Sequence, residues 1–212
     1  MRRLTYLLVV VFALAAAGCG TSSKSTKKSK SKKERVTRQV EQVDAEAARQ
    51  AAAREEEARR MAEIRSYMEQ GKQNVETAMA DELAQKIIEV DMVDDRTLRL
   101  TLSNAAAFDV GSAALKKAAI NTLHNLAEVV VQMDKTMVTV VGHTDNSGKA
   151  EANASLSQKR ADAVMGSLAK HNVPVDRMVA EGRGDQEPRD TNATKEGRAN
   201  NRRVEMWLRY AE

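Results

Sequence analysis

The chain has 212 residues, with 34 Lys+Arg against 30 Asp+Glu, a formal net charge of +4, 3% aromatic residues and a single Cys. One Cys excludes an internal disulfide framework and a Cys-rich zinc site, and the length allows one or two domains. Residues 1–35 hold nine basic groups against one acidic, while 36–212 hold 25 against 29, so the body of the chain is acidic and the electrostatic case for nucleic acid falls away.

Arg2 and Arg3 precede an apolar-rich run over residues 4–17. That run is too short to cross a hydrocarbon core of ~30 Å as a helix, which needs roughly 20 residues. A charged start, a short apolar middle and small residues at the end predict a secretory signal peptide over 1–18. The following run, Ala16-Ala17-Gly18-Cys19, resembles the lipobox of bacterial lipoproteins. The resemblance implies that Cys19 becomes the N-terminus and carries diacylglycerol plus an amide-linked acyl chain. At about 0.8 kcal/mol per buried CH₂, several chains on one Cys make dissociation negligible. A free thiol in an oxidising compartment would be a liability. Gly20 stands where, in that family, an Asp implies retention at the inner membrane, so anchoring to the outer membrane is expected, with the domain facing the periplasm.

Residues 21–33 follow the anchor with Ser, Thr and Lys only, a composition that predicts a disordered stretch spanning about 20 Å and, with Cys19, a tether over 19–33. The lysines fit a segment drawn to anionic headgroups, at ~1 kcal/mol per Lys, or a solvated spacer. From 34 to 70 the composition is Ala, Glu, Arg and Gln without Gly or Pro, which predicts a helix breaking at Gly71. Val36, Val40, Val43 and Ala47 keep a 4-3-4 spacing, and Met61, Ile64 and Met68 share its register. Gln50, Arg54 and Glu57 interrupt the seam, so a coiled coil and a solvated single helix both stay open. Val75, Met79, Leu83 and Ile87 continue the pattern at i+4 steps. Residues 34–87 are therefore expected to form a charged helical stalk, with self-association or envelope protein partners left open.

Beyond Ile88, strands and helices alternate. Residues 97–103 have period 2, and 137–141 form a short apolar run suited to a buried strand. Between them Ser112 is an expected N-cap for a helix presenting Leu115, Ala119, Leu123, Leu126 and Val130. Leu156, Ala161, Val164 and Leu168 line a second helix ending near Asn172 and Pro174. Residues 177–180 and 203–208 complete the strands. The expected class is α/β, an α+β sandwich over 88–212 built from a βαβαβ-type layer with a mixed sheet and one packed face.

Five motifs recur in this stretch: Phe108-Asp109 with Ser112 and Leu115; Gly142-His143-Thr144-Asp145 with Gly148; Asn153-x-x-Leu156-Ser157-x-x-Arg160-Ala161; Gly182-x-Gly184-x-x-x-Pro188; and Asn201-Arg202-Arg203-Val204-Glu205. In order and spacing they resemble the OmpA-like C-terminal domain over roughly residues 90–210. The resemblance implies non-covalent binding of peptidoglycan through the diaminopimelate of its stem peptides, with Asp145 and Arg160 at the positions of the ligand-pairing residues. A carboxylate and a guanidinium at fixed separation suit a ligand bearing an ammonium and a carboxylate on one carbon. Read without the family, Asp145 and Arg160 are also fit to pair with each other. Thr144, Asn153 and Leu156 fall at pocket-lining positions of the family, with Asn153 alternatively a helix N-cap. Phe108 and Asp109 fall on a pocket-edge loop, and Arg202 and Arg203 are expected to be structural. Ala152 and Lys159 depart from the residues usual there, which bears on affinity.

No cofactor is implied. His143 and Asp145, two apart at a strand end, raise a metal site or a catalytic dyad. His124 and His171 fall on helix surfaces, no metal-ligand spacing is present, and there is no Gly-x-Ser-x-Gly, so neither metal nor enzyme is expected. Arg183-Gly184-Asp185 and two glycosylation sequons read as chance. The expected protein is an outer-membrane lipoprotein that tethers membrane to wall. The rival is an envelope scaffold whose stalk recruits partners, with wall binding only for placement.

Overall fold

The computed structural model describes residues 23–211. The expected signal segment 1–18 and Cys19 lie outside them. The chain divides into two compact units, residues 1–55 and 56–212. Helix α1 runs Ser23–Ala78. Residues 23–33, expected to be disordered, are thus helical. Lys is a good helix former, and once the Ala/Glu/Arg stretch has nucleated a helix each added residue gains a hydrogen bond until a Gly or Pro intervenes. Val36, Val40 and Val43 of this first unit are 52%, 52% and 64% exposed.

In the second unit α1 passes Gly71 without the expected break. A Cβ at Gly71 would overlap the Met133 side chain, so the glycine makes room for that side chain and does not end the helix. Ile64, Met68, Val75 and Met79 are buried in the main apolar core, with Met61 and Leu83 packed against it. Residues 56–87, expected to belong with the stalk, therefore pack as part of the C-terminal unit. Tyr67 stacks edge-on against Tyr210 at 5.6 Å and accepts a 3.0 Å hydrogen bond from the Lys135 amide.

After the short helix α2 (Ala80–Ala84) come strands β1 (Ile88–Asp94) and β2 (Thr97–Ser103), helices α3 (Asn104–Ala107) and α4 (Lys117–Gln132), and strand β3 (Thr136–His143). Helix α5 (Ala150–Lys170), strand β4 (Met178–Gly184), helix α6 (Lys195–Asn201) and strand β5 (Arg203–Tyr210) complete the chain. The sheet order is β1-β2-β5-β3-β4, antiparallel except for the β3/β4 pair. The mixed sheet agrees with the expected class. Ser112 does not cap α4, which starts five residues later with Lys116 at its N-cap; the Ser112 hydroxyl instead accepts from the Ala114 amide at 3.0 Å.

The pairing register explains where the helices sit. Three rows cross the core face: Leu98–Leu208–Val138–Met178, Leu100–Met206–Val140–Ala180 and Leu102–Val204–Gly142–Gly182. Side chains shrink along β3 and β4 until two glycines remain. There α5 lies directly on the strands: a Cβ on Gly142 would overlap the Ser157 carbonyl, and one on Gly182 the Gln158 amide. Gln158 also clips α5 to β4, its Nε2 donating to the Ala180 carbonyl and its Oε1 accepting from the Gly182 amide.

The opposite sheet face carries a buried ion pair, Arg203 Nε to Glu205 Oε1 at 2.6 Å, with Trp207 Nε1 donating to the other carboxylate oxygen at 3.0 Å. Burial alone would raise the Glu205 pKa, but the facing His143 and the Arg203 guanidinium hold it from 4.5 down to about 2. A folded value below the unfolded one means that the stabilisation is complete above pH 4.5 and is lost as pH falls towards 2. Glu205→Gln should therefore cost about 3–5 kcal/mol at pH 7, because Arg203 keeps its charge without its partner. Denaturant titrations across this pH range should show the gap to wild type narrowing with acid; a gap constant with pH would contradict the assignment.

Candidate functional site

The site forms where the glycine row delivers α5 to the end of β3. Strand β3 ends at His143, and the Thr144 amide donates to the Gly184 carbonyl at 2.8 Å, holding the next residues to β4. Asp145 follows in a turn that it closes itself: its Oδ1 accepts from the Ser147 amide at 2.9 Å. Its backbone carbonyl accepts from Asn153 Nδ2 at 3.2 Å, tying the loop to the first turn of α5. Asn153 is therefore not the N-cap, a position held by Lys149.

Two turns further along α5, Arg160 is 2% exposed. Its Nε donates to the Ser112 carbonyl at 2.9 Å, and its guanidinium carbon lies 5.2 Å from the centroid of the buried Phe108 ring. The two Nη groups have no hydrogen-bond or ion-pair partner among the described residues. Phe108 is itself placed by its amide, which donates to the Asn104 carbonyl at 2.8 Å, and by a bridge to Leu115.

Asp145 and Arg160 do not form an ion pair. The partner of Asp145 is Arg202, whose Nη1 lies 2.5 Å from Oδ2. Sequence reasoning read Arg202 as structural and missed it. The available signal was its place before β5: neighbouring residues in extended chain point to opposite faces, so Arg202 and Arg203 cannot both serve Glu205. Arg203 takes that role and Arg202 turns to the site.

Charges dominate here. Burial raises the Asp145 pKa, but the Arg202 guanidinium and the Ser147 hydrogen bonds outweigh it and hold the carboxyl below its usual range. The Arg160 pKa is lowered first by burial and then by the charge on Arg202, with Asp145 opposing both. It remains a cation at neutral pH. The site thus holds one carboxylate and two guanidinium groups.

The other expected residues divide. Thr144 is 5% exposed, with its Oγ1 buried and unpartnered. Leu156 is half-buried. Asp109 is exposed and pairs with Lys116 at 3.4 Å. His143 does not share a face with Asp145; it is 1% exposed and turned to Glu205, its Nε2 3.8 Å from the carboxylate. Among the described residues no cluster of three or more His, Cys, Asp or Glu is placed to hold a metal ion.

Residues 107–202 match the family model described as the OmpA family. The chain is 43% identical to Probable lipoprotein YiaD of Escherichia coli (strain K12) over 109 residues, covering 51% of this chain and 50% of that protein. It is 38% identical to Peptidoglycan-binding protein ArfA of Mycobacterium bovis over 100 residues, covering 47% of this chain and 31% of that one. It therefore spans about half or less of the length of these relatives. The solved cell wall anchor of the T6SS from Pseudomonas aeruginosa superposes with a TM-score of 0.59 at 32% identity, over 65% of this chain and 97% of that one.

Proposed function

The chain belongs to the OmpA family, and from that membership we propose that its C-terminal domain grips peptidoglycan without covalent chemistry, at the diaminopimelate of the stem peptide. The observation that carries this reading is an Arg160 with two unpartnered Nη groups on the helix whose first turn, through Asn153, holds the Asp145 loop. The ligand's carboxylate takes the planar fork of Arg160, and its ammonium takes Asp145. Phe108 supports the guanidinium from behind, and Asn153 holds the Asp145 loop in register. Thr144 offers a hydroxyl with no internal partner. The role of Leu156 is apolar contact at the rim, and that of Asp109 is confined to the outer edge. The domain catalyses nothing.

The rest of the chain serves placement in this reading. Residues 1–18 direct export, Cys19 is acylated, and the acyl chains hold the protein in the outer membrane with the domain in the periplasm. Residues 19–33 lie next to the membrane and 34–55 carry the connection onward. Affinity at one site need not be high, because many copies confined between membrane and wall raise the effective concentration.

The test is co-sedimentation of the full chain with purified sacculi, in competition with a soluble stem peptide ending in diaminopimelate. Retention that the peptide abolishes is the expected result. Retention insensitive to the peptide would remove the ligand assignment, and no retention would remove the function.

A further inference from the structure

Of the three charges at the site, Asp145 and Arg202 already satisfy each other, while the two Nη groups of the buried Arg160 have no partner among the described residues. Each oxygen of Asp145 already has one partner: Oδ1 accepts from the Ser147 amide and Oδ2 is paired with Arg202. An ammonium that binds at Oδ2, the oxygen with the charged partner, takes it from Arg202 or shares it. Arg202 is free to yield: its side chain is 36% exposed, and its backbone is fixed independently by the Asn104 amide, which donates to its carbonyl at 3.3 Å.

We infer that Arg202 is an exchangeable internal substitute for the ligand's ammonium, and that this exchange makes the site select a free carboxylate beside that ammonium. The inference rests on the peptidoglycan reading above and adds the rule by which the site discriminates. With the ligand's ammonium on Asp145, the carboxylate charge is neutralised and two guanidinium groups are left without a counter-charge. A carboxylate on the same carbon answers both, taking the fork of Arg160 on one side and the released Arg202 on the other. A stem peptide ending in lysine brings the ammonium alone, and one whose carboxylate is amidated brings a neutral acceptor. Each breaks the Asp145–Arg202 pair and leaves two like charges uncompensated. Without Arg202, a lysine ammonium meets an open carboxylate and displaces nothing. Arg202 thus adds an opposing element against the wrong ligand as well as an attraction for the right one. The two guanidinium charges are coupled through Asp145: Arg202 pairs with it at 2.5 Å, and the Arg160 cation is favoured by Asp145 and disfavoured by Arg202.

The test uses the full chain in detergent and calorimetric titration with three stem peptides: diaminopimelate with its side-chain carboxylate free, the same residue with that carboxylate amidated, and lysine in its place. Wild type should favour the first by at least tenfold over the other two. In Arg202→Gln the first should weaken while the lysine peptide holds or tightens, compressing the ratio about tenfold, or 1.4 kcal/mol. Arg202→Lys retains the charge without the fork and should fall between them. Equal weakening of all three peptides, or an Arg202→Gln variant as selective as wild type, would overturn the inference while leaving peptidoglycan binding intact. A wild type that binds none of the three would overturn the proposed function itself, and the inference with it.

Discussion

Arg160→Ala should release the chain from sacculi, with apparent affinity falling at least about 100-fold, and Arg160→Lys should not restore it. A bidentate guanidinium–carboxylate contact comprises two charge-assisted hydrogen bonds, each worth about 1.5–3 kcal/mol. Loss of both reaches or exceeds two decades. Lysine fails for a geometric reason. Arg160 commits Nε to the Ser112 carbonyl and rests its plane on Phe108, leaving two coplanar donors for the ligand. A single ammonium cannot hold Ser112, stack in that orientation and present a fork at once. Folding should suffer less than binding, because removing Arg160 also removes a buried cation that Arg202 repels. Sedimentation measured beside thermal unfolding separates the two effects. Wild-type retention by Arg160→Lys would show that a point charge suffices and that the fork has been assigned wrongly.

Gly142→Ala should be a strongly damaging single methyl group for the site. The added Cβ would overlap the carbonyl of Ser157, a backbone atom that no rotamer change can move. Helix α5 has to lift from the sheet, and it carries Asn153 and Arg160 with it. Overpacking of this kind typically costs about 1–3 kcal/mol and more when backbone must shift. For a chain of this size about 3 kcal/mol lowers the midpoint by roughly 6–12 °C. Gly166→Ala on the same helix is the control. Nothing lies within 4 Å of its new methyl, so stability should hold or rise by up to about 1 kcal/mol through helix propensity. Equal midpoints for the two variants would mean that α5 does not bear on the glycine row.

Much of the domain was legible because its periods are clean. Leu98, Leu100 and Leu102 alternate and are all buried, and Leu123, Leu126 and Val130 recur at helical spacing and face the core. Asp145 and Arg160 stood out through motif context. What stayed hidden has physical causes. Strand β1 was not separated from the helical pattern before it, since Ile87 ends one i+4 series where Ile88 starts a strand of mostly half-buried residues. Helix α6 has two Asn and a Gly in seven residues, and is held by its cap: Thr194 accepts from the Gly197 amide at 3.0 Å. The docking of α1 was concealed by composition, because Ile64 and Met68 sit in a charged helix whose exposed part reads much the same. Gly71 looks identical as a breaker and as a point of contact; only Met133, 62 residues away, decides. The pairing of Arg202 with Asp145 joins residues 57 apart and leaves no local trace.

The docked end of α1 also bears on how such a domain is inherited. The stretch matched by the family model, 107–202, holds Phe108, Asp145, Asn153, Arg160 and Arg202 together. It does not hold Ile64, Met68, Val75 or Met79, nor strands β1, β2 and β5, which supply much of the apolar interior. The matched segment of this chain holds the residues of the proposed site and only part of the fold. A gene fusion that moved it alone would carry the proposed contacts and leave the recipient to furnish the interior.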